Sequence, residues 1–248
     1  MQRLFKKYLS KAPSFQIRSK QAAHLIIDGT YFKNDLCLVL YYDHDIKYAQ
    51  MYRFSDRERY EEIREDLLQL KAIGVQIASI TCDGHRALLK AIKKVYPDVI
   101  IQRCLVHIQR MSRGWLSSRA KSECARQLLV ISQQVCNIRS IEQSHYWMVA
   151  LIHWDQQYRS FIGEKVINPL TGRYWYKHKM IRRVRYLLVR ALPNMFHYLD
   201  DSRIPNSTNA LEGYFSHLKN HLNIHRGLTM NHRRNFIRWY LHFNNNSH

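Results

Sequence analysis

Apolar positions fall in short runs near the amino terminus and at helical spacing further along. The runs His24 to Tyr31, Leu36 to Tyr42 and Tyr48 to Arg53 are separated by Lys33-Asn34-Asp35 and Asp43-His44-Asp45. Apolar runs split by tight polar turns predict three strands in an antiparallel meander. Ser55-Asp56-Arg57-Glu58 then matches a capping box, and Tyr60, Ile63, Leu67, Leu68 and Leu70 recur at helical spacing up to Gly74, which predicts a helix closed by a glycine. Val75 to Thr81 reads as a strand, Ala87 to Val95 as a helix and Val99 to Ile101 as a short strand. The order is βββαβαβ, an α/β class with a mixed sheet flanked by helices.

After Cys104 the β signal stops, and the chain reads mainly helical to about Pro193, with breaks near Gly114, Asn137 to Ile141 and Gly163 to Gly172. That is too long for a loop in a compact domain, so residues 104–205 are expected to form a helical insertion. The polar stretch Asp200 to Asn206 leads into a helix from Asn209 to Leu222, and a last amphipathic helix covers Met230 to Phe243. Residues 1–20, with Lys6, Lys7, Lys11, Arg18 and Lys20 around Pro13, have little room for a packed unit and read as a basic lead-in. The division expected is therefore lead-in 1–20, first part of a sheet domain 21–103, insertion 104–205, and completion of the sheet domain by 206–248.

Charge changes the picture more than composition does. Lys and Arg number 39 against 19 Asp and Glu, a net charge of +20, and such a field attracts polyanions. The 5 cysteines lack paired spacing, and no apolar stretch follows the basic first residues, so a reducing cytoplasm is the expected location. The longest apolar run, Leu36 to Tyr42, is far short of the ~20 residues that span a bilayer, and no lipidation motif or isolated basic amphipathic helix is present. Nucleic acid is the better polyanion.

Candidate chemistry rests on three carboxylates. Asp28 lies inside the apolar first strand, where a buried charge costs several kcal/mol unless a cation or hydrogen-bond donors offset it; the alternative is a bend at Asp28-Gly29 with the carboxylate in water. Asp83 follows the fourth strand, and ligand sites favour such strand ends, although Asp before Gly84 also suits a turn or cap. Glu212 sits early in the Asn209 helix, where it could instead complete a capping box with Asn209. Lys219 follows seven residues later, about 20° short of two full turns, so an acid and a cation share one helix face.

A first strand, a fourth strand and a late helix, each with one carboxylate, is the arrangement of the ribonuclease-H-like fold in polynucleotidyl transferases. From about residue 20 to the end, the chain resembles bacterial insertion-sequence transposases of the mutator-like DDE superfamily. Leu25-Ile26-Ile27-Asp28-Gly29-Thr30-Tyr31, Ile80-Thr81-Cys82-Asp83-Gly84-His85 and Ser207-Thr208-Asn209-Ala210-Leu211-Glu212 carry the resemblance. It implies that Asp28, Asp83 and Glu212 are a catalytic triad holding two Mg²⁺ ions ~3.5–4 Å apart, with Mn²⁺ able to substitute. Asp28 is then the candidate for bridging both ions, and Lys219 for binding a nearby phosphate. The implied activity is metal-dependent DNA cleavage and strand transfer on element ends and target DNA, by a homodimer or higher oligomer. Members carry an amino-terminal end-recognition segment for which residues before the Asp28 strand leave no room, so a truncated copy is expected. A non-catalytic DNA-binding relic and a ribonuclease-H-like nuclease are the alternatives.

Cys104 and His107 stand at i, i+3 just after the fifth strand, and a zinc site would need two further ligands. The family resemblance instead assigns them to a Cys/Asp-x-x-His motif that follows the second aspartate. For DNA contact the candidates are Arg173, Lys177, Lys179, Arg182, Arg183 and Arg185, in a tract with Tyr174, Trp175 and Tyr176 and no acidic residue. Cations neutralise phosphates and aromatics stack on exposed bases, unless the run is a solvated face and Trp175 is core. Similar chemistry recurs at His225-Arg226 and His232-Arg233-Arg234.

Overall fold

A computed structural model describes residues 7–18, 23–32, 36–117, 120–225 and 227–246. The turn expected at Lys33-Asn34-Asp35, together with Lys6, Lys20 and Arg226, lies outside them. The chain divides into two compact units, one running to Ile101 and resuming at Arg203, the other from Gln102 to Ser202.

The first unit holds β1 (Ala23–Phe32), β2 (Leu36–Asp43), β3 (Tyr48–Ser55), β4 (Ile77–Cys82) and the start of β5 (Ile100–Arg103), in the sheet order β3-β2-β1-β4-β5. β1 pairs antiparallel with β2 and parallel with β4, and β2 pairs antiparallel with β3. The mixed sheet flanked by helices is thus as expected. Alternation sorts the side chains by face. Leu25, Ile27, Val39 and Tyr41 pack with Ile63, Leu67 and Leu70 of α1 (Tyr60–Ala72) and Leu88 and Ile92 of α2 (Arg86–Val95). Ile26, Leu36, Leu38 and Leu40 pack with Leu211, Phe215 and Leu218 of α7 (Asn209–Ile224) and Ile237 and Leu241 of α8 (Met230–Asn246). Both faces are covered, which is why β1 and β2 read as nearly unbroken apolar runs.

Two polar clamps hold the helices to this sheet. Asp66 of α1, 3% exposed, accepts from Tyr41 Oη at 2.9 Å and from Arg53 Nη2 at 2.6 Å and Nε at 2.8 Å. Those hydrogen bonds hold the Arg53 guanidinium protonated more firmly than usual. Asn245 accepts from the Ala49 N–H at 2.8 Å and donates to the Ala49 carbonyl at 3.0 Å, so a side-chain amide closes part of the edge strand β3.

Several local expectations give way. The helix after β3 starts at Tyr60, with Arg59 as N-cap and no side-chain cap bond; Ser55 Oγ instead donates to Glu62 at 2.6 Å, so the capping box is not formed. Residues 7–18, though mostly exposed, are tied to α8: Leu9 is 2% exposed, its carbonyl accepts from Asn235 Nδ2 at 2.7 Å, and Trp239 Nε1 donates to the Lys11 carbonyl at 3.0 Å.

The second unit contains α3 (Leu105–Leu116), α4 (Glu123–Gln134), α5 (Ile141–Gly163) and α6 (Lys179–Ala191). Gly114 lies within α3 rather than breaking it, because the break falls at Ser117 with φ of 65°. Ser122 and Ser140 cap α4 and α5, accepting from the N–H groups of Ala125 and Gln143. Two buried indoles pin α5 to α4: Trp147 Nε1 donates to the Ile131 carbonyl at 2.7 Å and Trp154 Nε1 to that of Cys124 at 2.9 Å. At the break expected from Gly163 to Gly172, an antiparallel hairpin that was not expected forms from β6 (Lys165–Ile167) and β7 (Tyr174–Tyr176). Its strands are three residues each, too short for an alternating pattern to stand out.

Candidate active site

The parallel pairing of β1 with β4 sets the geometry. Ile26 lies opposite Thr81 and Ile27 opposite Cys82, the last pair of the ladder; Asp28 and Asp83 are the next residues after that pair, on strands that run ~4.8 Å apart. Asp28 is two residues beyond Ile26 and so shares the face covered by α7 and α8. It lies within β1, opposite Leu40 of β2, so Asp28-Gly29 is not a bend, and Asp28 is half-buried, with Oδ1 accepting from the Gly29 N–H at 2.9 Å. Asp83 sits where β4 ends: its Oδ1 accepts from the His85 N–H at 2.7 Å around Gly84, whose φ is +86°. That turn, in a backbone region glycine enters freely, ends β4 and leads into α2. Thr81 Oγ1 donates to the Pro205 carbonyl at 2.7 Å, tying the end of β4 to the segment that enters α7.

Glu212 lies in the first turn of α7. Its N-cap is Thr208 and not Asn209, with no side-chain cap bond, so Glu212 is one position too late for a capping box. Its neighbour Leu211 packs against the face of Ile26, and Lys219 Nζ stands 5.6 Å from the Phe32 ring centroid. Phe32 is on the Asp28 face of β1, so α7 carries Glu212 and Lys219 along that same side. Among the described residues, no group of three or more His, Cys, Asp or Glu side chains is arranged to hold a metal ion. Asp28 and Asp83 directly follow the last paired residues of β1 and β4, and Glu212 lies on the helix that covers the Asp28 face, without a three-carboxylate cage among the described residues.

Glu58, passed over when its segment read as a capping box, is brought to the same strand. A Cβ built on Gly29 would overlap Glu58 Oε1 and stand 3.1 Å from Cδ. Only glycine leaves room for this carboxylate on the β1 backbone beside Asp28. Glu58 is 15% exposed and its Oε2 lies 3.5 Å from Nδ1 of His85, two residues after Asp83. Burial pushes the Cys37 thiol up to about 12, and the Glu58 carboxylate adds to that. Burial likewise raises the Tyr31 phenol, with Cys37 and Glu58 adding to it. The Asp-Gly dipeptide in an apolar strand was the available signal: a strand glycine marks close approach by another group.

Cys104 and His107 belong to the second unit; Cys104 is buried and is the N-cap of α3, and His107, half-buried, lies in its first turn. In the basic tract, Arg173, Lys179 and Arg183 are exposed. Others are engaged: Lys177 Nζ pairs with Glu164 at 2.8 Å, and Arg182 lies 3.5 Å from the Tyr176 ring centroid and donates to the Ile162 carbonyl. Arg185 donates to both Asp155 oxygens, Nη2 to Oδ2 at 2.9 Å, and these bonds hold Asp155 below the usual carboxylate range. Trp175 is 51% and Tyr174 55% exposed, so neither is core, and Arg183 stacks 3.9 Å from the Trp115 centroid. No helix among the described residues is long and apolar enough to cross a membrane.

Residues 51–163 match the family described as "Transposase, Mutator family", somewhat under half of the chain, which bears out the resemblance to mutator-like transposases; the match specifies no bacterial source. No curated protein matches. Among solved structures, the chain is similar to one in "CryoEM structure of simian T-cell lymphotropic virus intasome in complex with PP2A regulatory subunit B56 gamma", at 16% identity, over 51% of this chain and 53% of that one, with a TM-score of 0.29. The chain spans about half the length of that structure's chain, and a score so low places no fold.

Proposed function

We infer, from the Mutator-family match over residues 51–163, that this chain is a transposase whose sheet unit is ribonuclease-H-like and whose carboxylates Asp28, Asp83 and Glu212 serve DNA cleavage and strand transfer. The observation that carries the reading is the parallel β1–β4 register, whose last pair is Ile27 opposite Cys82, the residues immediately before Asp28 and Asp83. Two carboxylates side by side at a strand end repel one another unless a cation or proton intervenes. Their hard oxygen donors suit Mg²⁺. Asp28 and Asp83 would hold the ion, with Glu212 approaching from α7, and a pair of Mg²⁺ or Mn²⁺ ions there supplies activation of the attacking hydroxyl and stabilisation of the leaving oxygen. Lys219, on the Glu212 face, offers a compact charge to a phosphate. Exposed Arg173, Lys179 and Arg183, with Tyr174 and Trp175 beside them, suit the DNA backbone and unstacked bases. Bringing two element ends to a target calls for more than one copy, so a dimer or higher oligomer on DNA is part of the proposal, as is the Cys104–His107 pair acting as the family motif.

The test is divalent-metal-dependent cleavage and joining on duplexes carrying the DNA ends that flank the gene. Asp28→Asn, Asp83→Asn and Glu212→Gln should each abolish both steps while melting temperature and DNA affinity stay nearly intact. Joining by folded Asp28→Asn protein would sink the assignment, and cleavage without joining in the wild type would identify a nuclease instead.

A further inference from the structure

We propose that His217 and His221 form a binding site for a transition-metal ion of the zinc, nickel or copper type on α7, apart from the carboxylates. The two residues are one turn apart on the helix, which places their side chains on one face. Their Nε2 atoms lie 3.1 Å apart, with ring centroids 4.4 Å apart. Two metal–imidazole bonds of ~2.0–2.1 Å, enclosing an angle between a right angle and the tetrahedral one, put the nitrogens ~2.9–3.4 Å apart. The two nitrogens share a hydrogen bond at a separation inside that window, so an ion would replace the shared proton and complete its coordination with water. Both side chains are exposed, so an ion reaches them from water.

A second observation concerns the far side of the first ring. His217 Nδ1 lies 2.6 Å from the Tyr240 hydroxyl of α8. In a neutral imidazole, a proton on Nδ1 donated to that oxygen leaves Nε2 as the acceptor of the hydrogen bond shared with His221 Nε2. Metal-ligating histidines are oriented by such outer hydrogen bonds. Tyr240 also packs against both rings, with centroids at 5.8 Å from His217 and 6.2 Å from His221, so the neighbouring helix holds the pair in place. His217 is five residues from Glu212, about 140° around the helix, so the pair does not share the Glu212 and Lys219 face. Imidazole nitrogen selects zinc, nickel and copper, whereas magnesium prefers oxygen. This site would therefore take a different ion from the one the carboxylates suit.

Calorimetric titration of the full chain with Zn²⁺ and with Ni²⁺ tests the assignment. One ion per chain should bind, unaffected by millimolar Mg²⁺. His217→Ala and His221→Ala should each lower affinity at least tenfold, and Tyr240→Phe, which keeps the ring and removes the hydroxyl, by about 10- to 100-fold. His225→Ala, one turn further on, is the control and should leave binding unchanged. Absence of zinc and nickel binding, binding undiminished in both histidine variants, an equal loss in His225→Ala, or competition by Mg²⁺ would overturn the proposal. Circular dichroism of each variant separates loss of a ligand from loss of the helix.

Discussion

Gly29 is where sequence, packing and the candidate site meet, and replacing it tests the placement of Glu58. The glycine lies within β1, opposite Val39, and is not among the glycines with positive φ, so alanine suits its backbone. Considered alone, Gly29→Ala should stabilise the strand by ~0.5–1 kcal/mol through lost unfolded-state freedom. The wild-type environment opposes this: the new methyl would overlap Glu58 Oε1 and stand 3.1 Å from Cδ and 3.4 Å from Cγ. The clash is with the end of a flexible side chain, so Glu58 can swing away, but only by leaving the 3.5 Å approach to His85. Overpacking of this kind costs ~1–3 kcal/mol. In a Glu58→Ala background that cost vanishes and the backbone gain remains. The effect of Gly29→Ala should therefore differ between the two backgrounds by ~1–3 kcal/mol, a coupling that a double-mutant cycle isolates. Hydrogen exchange of the β1 amides is the suitable assay, because a chain of two units need not unfold in one transition. An equal effect of Gly29→Ala with and without Glu58 would refute the contact.

Arg53→Met should cost ~3–5 kcal/mol because it leaves the buried Asp66 carboxylate, with a side chain 4% exposed, without its cation; Arg53→Lys should cost less, and urea denaturation of the sheet unit measures both. Asp155, held low by its hydrogen bonds from Arg185, contributes stability above its unfolded value and loses it as pH falls through the folded one. Asp155→Asn should thus lower the melting temperature at neutral pH and hardly change it in strong acid. Replacing exposed Arg173, Lys179 and Arg183 by alanine should weaken binding to all duplex sequences and flatten the slope of log K against log salt by ~0.9 for each lost phosphate contact; an unchanged slope would move the DNA surface elsewhere.

The order and type of most elements followed from the chain alone, because alternation and helical spacing are local and both sheet faces demand apolar cover. Strands from His24 to Arg53, the helix from Tyr60 and the closing helices all stand close to where periodicity put them. Local cues misled where two readings share one signal. Ser55 to Glu58 has the residues of a capping box, yet helix capping is decided by where the chain leaves the sheet, and Tyr60 opens the helix. A basic run likewise cannot reveal its partners: Asp155, 30 residues away, takes Arg185, while Arg183 finds Trp115. The sequence determined that Asp28 stands in or at the end of an apolar run and Asp83 just after another, and the pairing of Asp28 with Leu40 decided against a bend. Only the tertiary structure decided that the two strands pair in parallel with Ile27 beside Cys82, that α7 covers the Asp28 face, and that Glu58 lies on Gly29. Strand register is a contact between residues 55 apart, set by how the whole sheet buries its two faces, and no local propensity encodes it.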